Sequence, residues 1–297
     1  MRVVTRGDLD GLTCTVLLGV NEGVDDFLLT HPQELTEGQV EIRDTDIIAN
    51  LPYHSGCAMW FDHHMHTAAA ATPAEDFQGA FGHAPSAARL VYEYYGGRDK
   101  MPEFEELVRE TDRLDSADLT LEDIVDPQGY IQLGYTIDGR SGLGAFERYF
   151  MTLLHLLIKK LPVEQVLSHP EVEKRCRRLE EEDIQLHAAL KGYSVVDDNV
   201  VLTDFRGVDR VPVGNRFLVF ALFPHINVAV RVQWGPNQEF AMLTLGHSIL
   251  NRTCRTNVGD LAARYGGGGH QGAGSIKLIE DPEYQIAAIV AELKANG

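Results

Sequence analysis

Acidic and histidine side chains recur at short spacings in the first part of this 297-residue chain. Asp8 and Asp10 form one DxD pair, Asp44 and Asp46 another, and Asp62-His63-His64 directly follows the apolar run Cys57–Phe61. Carboxylates gathered in one place repel and raise each other's pKa values, and a bound divalent cation removes that conflict. Oxygen donors mixed with imidazole suit Mn²⁺, Co²⁺ or Fe²⁺ better than a thiolate-rich zinc site does. A structural zinc site from His54, Cys57 and His66 lacks the usual ligand spacing. A lone DxD is most often a turn or helix cap, and a lone His-His pair is usually structural. The coincidence of three such sites carries the metal reading.

A second constellation lies near the other end. Gly266–Gly269 removes four consecutive side chains and is followed by His270. Such a run permits positive φ and close backbone approach, so amide hydrogens can converge on an anion. The plain alternative is a flexible loop after a helix, with Gly266 as its cap. Asn251-Arg252 and Arg255 stand just upstream, and forked guanidinium groups match phosphate oxygens. The two constellations together point to phosphate held by metal ions and a glycine cradle.

The elements that must position these residues can be read from apolar patterning. Strands are expected at Val3-Val4, at 27–30, at 40–43 and at 57–61, with a helix over 12–20. This alternation of strand, turn and helix predicts an α/β domain with a mainly parallel sheet. Asp8, Asp10, Asp44, Asp46 and Asp62 would each follow a strand and converge at the carboxyl edge, where ligands of open α/β sheets bind. From 85 to 191 the chain reads as mostly helical, including helices over 87–94, 102–111 and 171–190. Arg89 reads as a surface or ion-pair residue. Beyond Gly192, strands at 216–223, 226–234 and 239–245 predict an antiparallel hairpin series. A helix at 258–264, a strand at 276–279 and a helix at 283–294 complete a smaller α+β domain. The expected division is 1–160, a helical linker over 161–192, and 193–297.

Composition narrows the partners. Residues 1–199 carry 17 basic against 36 acidic side chains, and residues 200–297 carry 9 against 8. No basic stripe exists to grip long duplex DNA by counterion release. The four cysteines are scattered without a CxxC pair, and no apolar run is long enough for a membrane span. The N-terminus begins directly with a strand pattern and carries no signal-peptide pattern. A cytoplasmic location is expected, and a homodimer stays open.

At this point the chain resembles the DHH phosphoesterase family with a C-terminal DHHA1 domain. Gly7-Asp8-Leu9-Asp10-Gly11-Leu12-Thr13 looks like the first family motif, Asp44 like the single Asp of the second, and Asp62-His63-His64 is the signature itself. Asp112 looks like the fourth motif, with Asp115 a nearby competitor, as Asp46 is for Asp44. Tyr265 to Gly274 looks like the substrate motif of DHHA1. The resemblance covers essentially the whole chain.

It implies two divalent metals, usually Mn²⁺. Asp44 would bridge them, Asp8 would bind one, and Asp10, His63 and Asp112 would bind the other. His64 would face the phosphate, and Asp62 would orient its neighbours or add a ligand. Arg252, Gly267, Gly268, Gly269 and His270 would bind substrate. Many relatives carry a metal-binding His shortly before the first Asp, whereas this chain has Arg6 in that region. Arginine stays protonated and cannot coordinate a metal. One metal position is therefore weakened, or Arg6 binds substrate phosphate. The implied activity is manganese-dependent hydrolysis of phosphodiester or phosphoanhydride bonds by metal-activated hydroxide. Short single-stranded oligoribonucleotides, phosphorylated nucleotides and cyclic-dinucleotide products are the implied substrates. An exopolyphosphatase and a non-catalytic phosphate or nucleotide sensor are the alternatives. In the enzyme reading the second domain would close over the substrate.

Overall fold

Short strands that are almost wholly apolar must be covered on both sides, and the central strands of the first sheet are of this kind. A computed structural model describes residues 1–64, 76–137 and 146–297, so His66 lies outside the described residues. The chain divides into two compact units. One comprises Met1–Asp118 with Pro127–Arg177, and the other Leu119–Asp126 with Arg178–Gly297.

In the first unit, β1 (Val3–Thr5), β2 (Phe27–Leu29), β3 (Ile47–Ala49), β4 (Met59–Asp62) and β5 (Gly79–Phe81) form a sheet in the order β2-β1-β3-β4-β5. All four pairings are parallel. The order reverses between β1 and β3, so the topological switch point, where open α/β sheets bind ligands, lies at the carboxyl ends of those strands. The helices of this unit are α1 (Leu9–Glu22), α2 (Pro32–Thr36), α3 (Ala87–Tyr94), α4 (Gly97–Lys100), α5 (Glu105–Asp115), α7 (Gly129–Tyr135), α8 (Phe146–Ile158) and α9 (Val163–Leu167). α6 (Leu121–Val125) belongs to the second unit, and the division falls within α10 (Pro170–Tyr193). Val3, Ile47 and Phe61 face one core with Leu12, Val16, Val91, Val108, Phe150 and Leu153. Val4, Ile48 and Trp60 face the other with Leu35 and Leu51. Alternate strand residues thus feed opposite cores, as the period of two requires. The Trp60 indole N–H donates to Leu51 O at 2.8 Å, which satisfies its polar atom inside the core.

One strand is not where the apolar pattern suggested. Residues 40–43 form no strand, and β3 begins at Ile47. Asp44 and Asp46 therefore precede the strand instead of following it, and sit at the amino edge of the sheet. Asp46 is fully buried there because Arg2, just before β1, forks onto it with Nε and Nη2 each at 3.0 Å. The N–H of Arg43 adds a third donor at 2.9 Å.

The second unit carries β6 (Ser194–Asp197), β7 (Val200–Asp204), β8 (Val228–Trp234), β9 (Ala241–His247), β10 (Gly268–His270) and β11 (Ala273–Leu278), ordered β10-β11-β9-β8-β7-β6. Only β7 with β8 is parallel, so this is a mixed sheet. Val228, Val230, Leu243 and Ile276 pack against Leu261 of α12 (Val258–Arg264) and Ile289 of α13 (Pro282–Ala295). The segment 216–223, expected as a strand, contains α11 (Leu218–Leu222). A short continuous apolar run cannot be assigned by periodicity alone. Here the N–H of Phe217 donates to Asn215 Oδ1 at 3.0 Å and turns the chain at the start of the helix. Trp234, at the end of β8, lies under the Arg206 guanidinium at 5.5 Å.

The first sheet also explains one glycine. Gly79 has φ of +125°, and a Cβ there would lie 1.9 Å from Trp60 O. That conformation is open essentially to glycine alone. Gly79→Ala should destabilise the first unit by more than about 2 kcal/mol. Gly82→Ala, where a Cβ meets nothing within 4 Å, should change stability by no more than about 0.5 kcal/mol. Calorimetric unfolding of the two variants checks this.

Candidate metal centre

Helix starts set the acidic residues of the first motif. Asp8 is the N-cap of α1 and accepts from the Gly11 N–H at 2.9 Å. This is ordinary capping chemistry. Gly11 is required for the approach, since a Cβ would lie 2.1 Å from Arg6 O. Asp8 also accepts from Asn50 Nδ2 at 3.0 Å and pairs with Arg6 Nε at 3.2 Å. Asp10 is in the first turn of α1 and is 1% exposed. Its carboxylate accepts from the backbone N–H groups of Ala88 at 2.7 Å and Ala87 at 3.0 Å. These open α3, so a helix N-terminus holds the buried acid. Cys14 Sγ lies 3.8 Å from Asp10 Oδ1, one turn further along α1.

The DHH turn continues β4. Asp62 is its last residue and is fully buried. Asp62 Oδ1 accepts from the His63 N–H at 3.0 Å and from His64 Nδ1 at 2.9 Å. The side chain therefore folds the turn on itself. His63 Nδ1 lies 3.1 Å from Ala84 O. A carbonyl only accepts, so Nδ1 carries the proton and Nε2 keeps its lone pair in the neutral ring. That Nε2 is buried and makes no hydrogen bond, yet sits 3.2 Å from Asp115 Oδ2 and 3.8 Å from Asp10 Oδ2.

Two carboxylates and an imidazole lone pair thus converge, with ligand atoms within 4.8 Å of one another. Asp62, His63 and His64 satisfy the same distance as a second group. Burial is the main cause that drives the Asp10 carboxyl well above its usual range, with the charges of Asp115 and Asp8 adding to it and the Ala88 and Ala87 N–H groups opposing. Asp115 is raised as well, chiefly by burial, while His63 works against the rise. His64 behaves oppositely. Burial disfavours its charge most, but the hydrogen bond and charge of Asp62 outweigh it and leave the imidazole raised. An Nε2 without a hydrogen bond and the raised acids fit a divalent cation bound through Asp10, His63 and Asp115. The carbonyl that orients His63 is the outer-shell partner such a ligand needs.

Not every residue expected here is brought here. Asp44 is exposed at the opposite edge of the sheet. Asp112 faces other partners: it accepts from Ser86 Oγ at 2.6 Å and from Arg89 Nη2 at 2.6 Å and Nε at 2.9 Å. Asp115, one helical turn on in α5, reaches His63 instead. Asn50 escaped the sequence reading. Its signal was its place, directly after β3 at the carboxyl edge, and that strand was not recognised.

In the second unit, Gly268, Gly269 and His270 form the edge strand β10 rather than an open loop. The plain structural reading accounts for part of the glycine run. A Cβ on Gly267 would lie 2.1 Å from Ser275 O, and one on Gly269 2.2 Å from Ala273 O. Gly268 meets nothing within 4 Å, so packing does not demand its bare backbone. His270 is exposed, and its Nδ1 accepts from the Gly272 N–H at 3.3 Å. His247, at the end of β9, is kept below its usual pKa by burial and by the charge of His270, against the opposing Thr256 carbonyl at 2.9 Å. Arg252 is exposed on the loop before α12, with Nε donating to Ile249 O at 3.1 Å.

Neither a protein-family model nor a curated protein sequence matches the chain. Solved structures do. A pGpG-specific phosphodiesterase, PggH from Vibrio cholerae, is 34% identical, with a TM-score of 0.87 over 100% of this chain and 99% of that one. An exopolyphosphatase-related protein from Bacteroides fragilis shares the fold at 14% identity and a TM-score of 0.56, covering 99% and 91%. The exonuclease RecJ bound to manganese does so at 15% identity and 0.53, covering 99% and 89%. With this fold, this DHH turn and a relative of that identity along its full length, the chain belongs to the DHH/DHHA1 phosphoesterase family.

Proposed function

We propose that this protein is a divalent-cation-dependent phosphodiesterase that hydrolyses short linear oligonucleotides of the pGpG kind. The observation that carries the reading is the buried Nε2 of His63, which makes no hydrogen bond and faces Asp10 and Asp115. The full-length similarity to a pGpG-specific phosphodiesterase supports the substrate class. Asp10, His63 and Asp115 would hold a cation here, with Mn²⁺ the proposed ion, and when bound it would neutralise phosphate charge and lower the pKa of water.

The chain's own residues supply the rest. Arg6 is half-exposed beside Asp8 and offers a fixed positive charge to a phosphate oxygen. Asp62 holds His64 by its Nδ1 and favours its charged form. The other ring nitrogen can then give a proton to the leaving oxygen. In the balanced reaction, water oxygen bonds to phosphorus and the bond from phosphorus to the 3′ oxygen breaks; that oxygen takes the His64 proton, and the proton released by the attacking water passes to solvent, from which His64 is reprotonated. A linear dinucleotide carrying a 5′ phosphate yields two 5′-mononucleotides. In the second unit, Arg252, Gly267, Gly268, Gly269 and His270 are the proposed binding residues for the remaining phosphate. The acidic balance of the first 199 residues fits short substrates rather than long duplexes.

Purified protein with Mn²⁺ is expected to cleave pGpG faster than longer RNA or polyphosphate. Faster release of phosphate from polyphosphate would replace this reading with an exopolyphosphatase. Binding without turnover of any of these would leave a sensor. His64→Ala should lower kcat by about 10²–10⁴-fold, the usual range for a lost general acid. Arg252→Ala should raise KM by roughly 10- to 100-fold at similar kcat, as for a lost hydrogen bond to a charged group. An unchanged KM would remove that residue from the site.

Metal binding also has a stability signature. Folded Asp10 and Asp115 hold protons that the unfolded chain releases. The metal-free protein therefore loses stability as pH rises from the ordinary carboxylate range toward their raised values. Mn²⁺ should restore it and raise Tm at neutral pH. Asp115→Asn should leave the metal-free Tm no lower than wild type while reducing the Mn²⁺-induced rise. Thermal scans with and without Mn²⁺ read both.

A further inference from the structure

β1 and β3 flank the switch point, so the residues that leave their carboxyl ends face one crevice. β1 delivers Arg6 and Asp8, and β3 delivers Asn50. Asn50 is fully buried and has φ of +58°, a conformation that Asn tolerates better than most residues. Its Nδ2 donates to Asp8 Oδ1 at 3.0 Å, while its Oδ1 is buried without a hydrogen bond. A polar side chain is thus placed at the centre of the sheet edge, between Asp8 and the DHH turn, with one end satisfied and the other waiting for a partner.

Asp8 is already well supplied. It takes the Gly11 N–H, the Asn50 amide and the Arg6 guanidinium. The guanidinium is permanently charged, so it balances the Asp8 carboxylate at any working pH. Asp10, by contrast, takes its bonds from neutral backbone N–H groups and faces Asp115 through His63. The two halves of the edge therefore differ in kind. One half has a carboxylate neutralised from within the chain and a neutral amide beside it. The other has two carboxylates and an imidazole lone pair. A second divalent ion beside Asp8 would have to displace or adjoin the guanidinium, and Asn50 would offer it a neutral oxygen rather than a charged one.

We propose that this centre binds one divalent cation per chain, at Asp10, His63 and Asp115, and that Arg6, held by Asp8 and flanked by Asn50, supplies the positive charge a second cation would bring. The inference rests on the metal reading above and narrows it. Asn50 is then a positioning residue: it holds Asp8, which holds Arg6 toward the phosphate, and its Oδ1 accepts from substrate or from water in the crevice.

The test is Mn²⁺ titration of the purified full chain, followed by calorimetry for stoichiometry and by electron paramagnetic resonance for coupling. One equivalent per chain with an uncoupled six-line spectrum is expected. Two equivalents with an exchange-coupled spectrum would overturn the one-cation inference while leaving the metal reading intact. No saturable binding would remove both. The double variant Arg6→His/Asn50→Asp, checked by circular dichroism to be folded, should take up a second equivalent. A folded double variant that still binds one would show that these two residues do not set the count.

Discussion

Negative charge held out of water at the carboxyl edge of a parallel sheet is the constraint on which this protein is built. Asp10 and Asp62 are almost wholly buried, and no fold keeps such groups without donors. Each is therefore met by backbone. The N-terminus of α3 reaches Asp10, and the DHH turn curls its own amides and an imidazole onto Asp62. The order of the helices follows from this need. α1 must start at Asp8, α3 must start at Ala87, and Ser86, which caps α3, also bonds Asp112 of α5. Further back, a buried bond of 2.9 Å between Thr13 and Thr111 ties α1 to α5 and fixes where Asp115 arrives.

Much of this was legible from residue types alone. Asp8, Asp10 and His63 stand next to sequence features that can scarcely be mistaken: a strand followed by a capping Asp, and an apolar run ending in charge. The fold class followed for the same reason, because fully apolar strands between helical stretches leave few alternatives to an α/β sheet. The misplacement of Asp44 has a definite cause. An acid beside a short apolar run marks a strand end, but it does not say which end. Arg2, forty-four positions away, decides that for Asp46, and no local pattern contains it. Asp112 and Asp115 were inseparable for a related reason. Residues three apart share a helix face, and only the docking of Arg89 on Asp112 frees Asp115 for His63.

The glycine run was read for its chemistry, and the structure adds a packing role. Gly267 and Gly269 are bare because β11 lies against them, whereas Gly268 is bare with open space in front of it. A single motif thus contains residues fixed by the fold and one that the fold leaves open. Sequence spacing cannot separate these, since both readings ask for the same residue type. The same ambiguity puts a strand over 216–223, where the five apolar residues 218–222 suit either element until Asn215 turns them into a helix.

The two tryptophans are divided evenly, with Trp60 sealed in the core under the first sheet and Trp234 at the end of β8 beneath a guanidinium. Each compact unit consequently owns one natural fluorophore in a distinct setting. Emission from the sealed indole should be blue-shifted and shielded from aqueous quenchers, and that from the cation-capped one redder and quenched more readily. The melting of each half can then be followed by light alone, with no label attached.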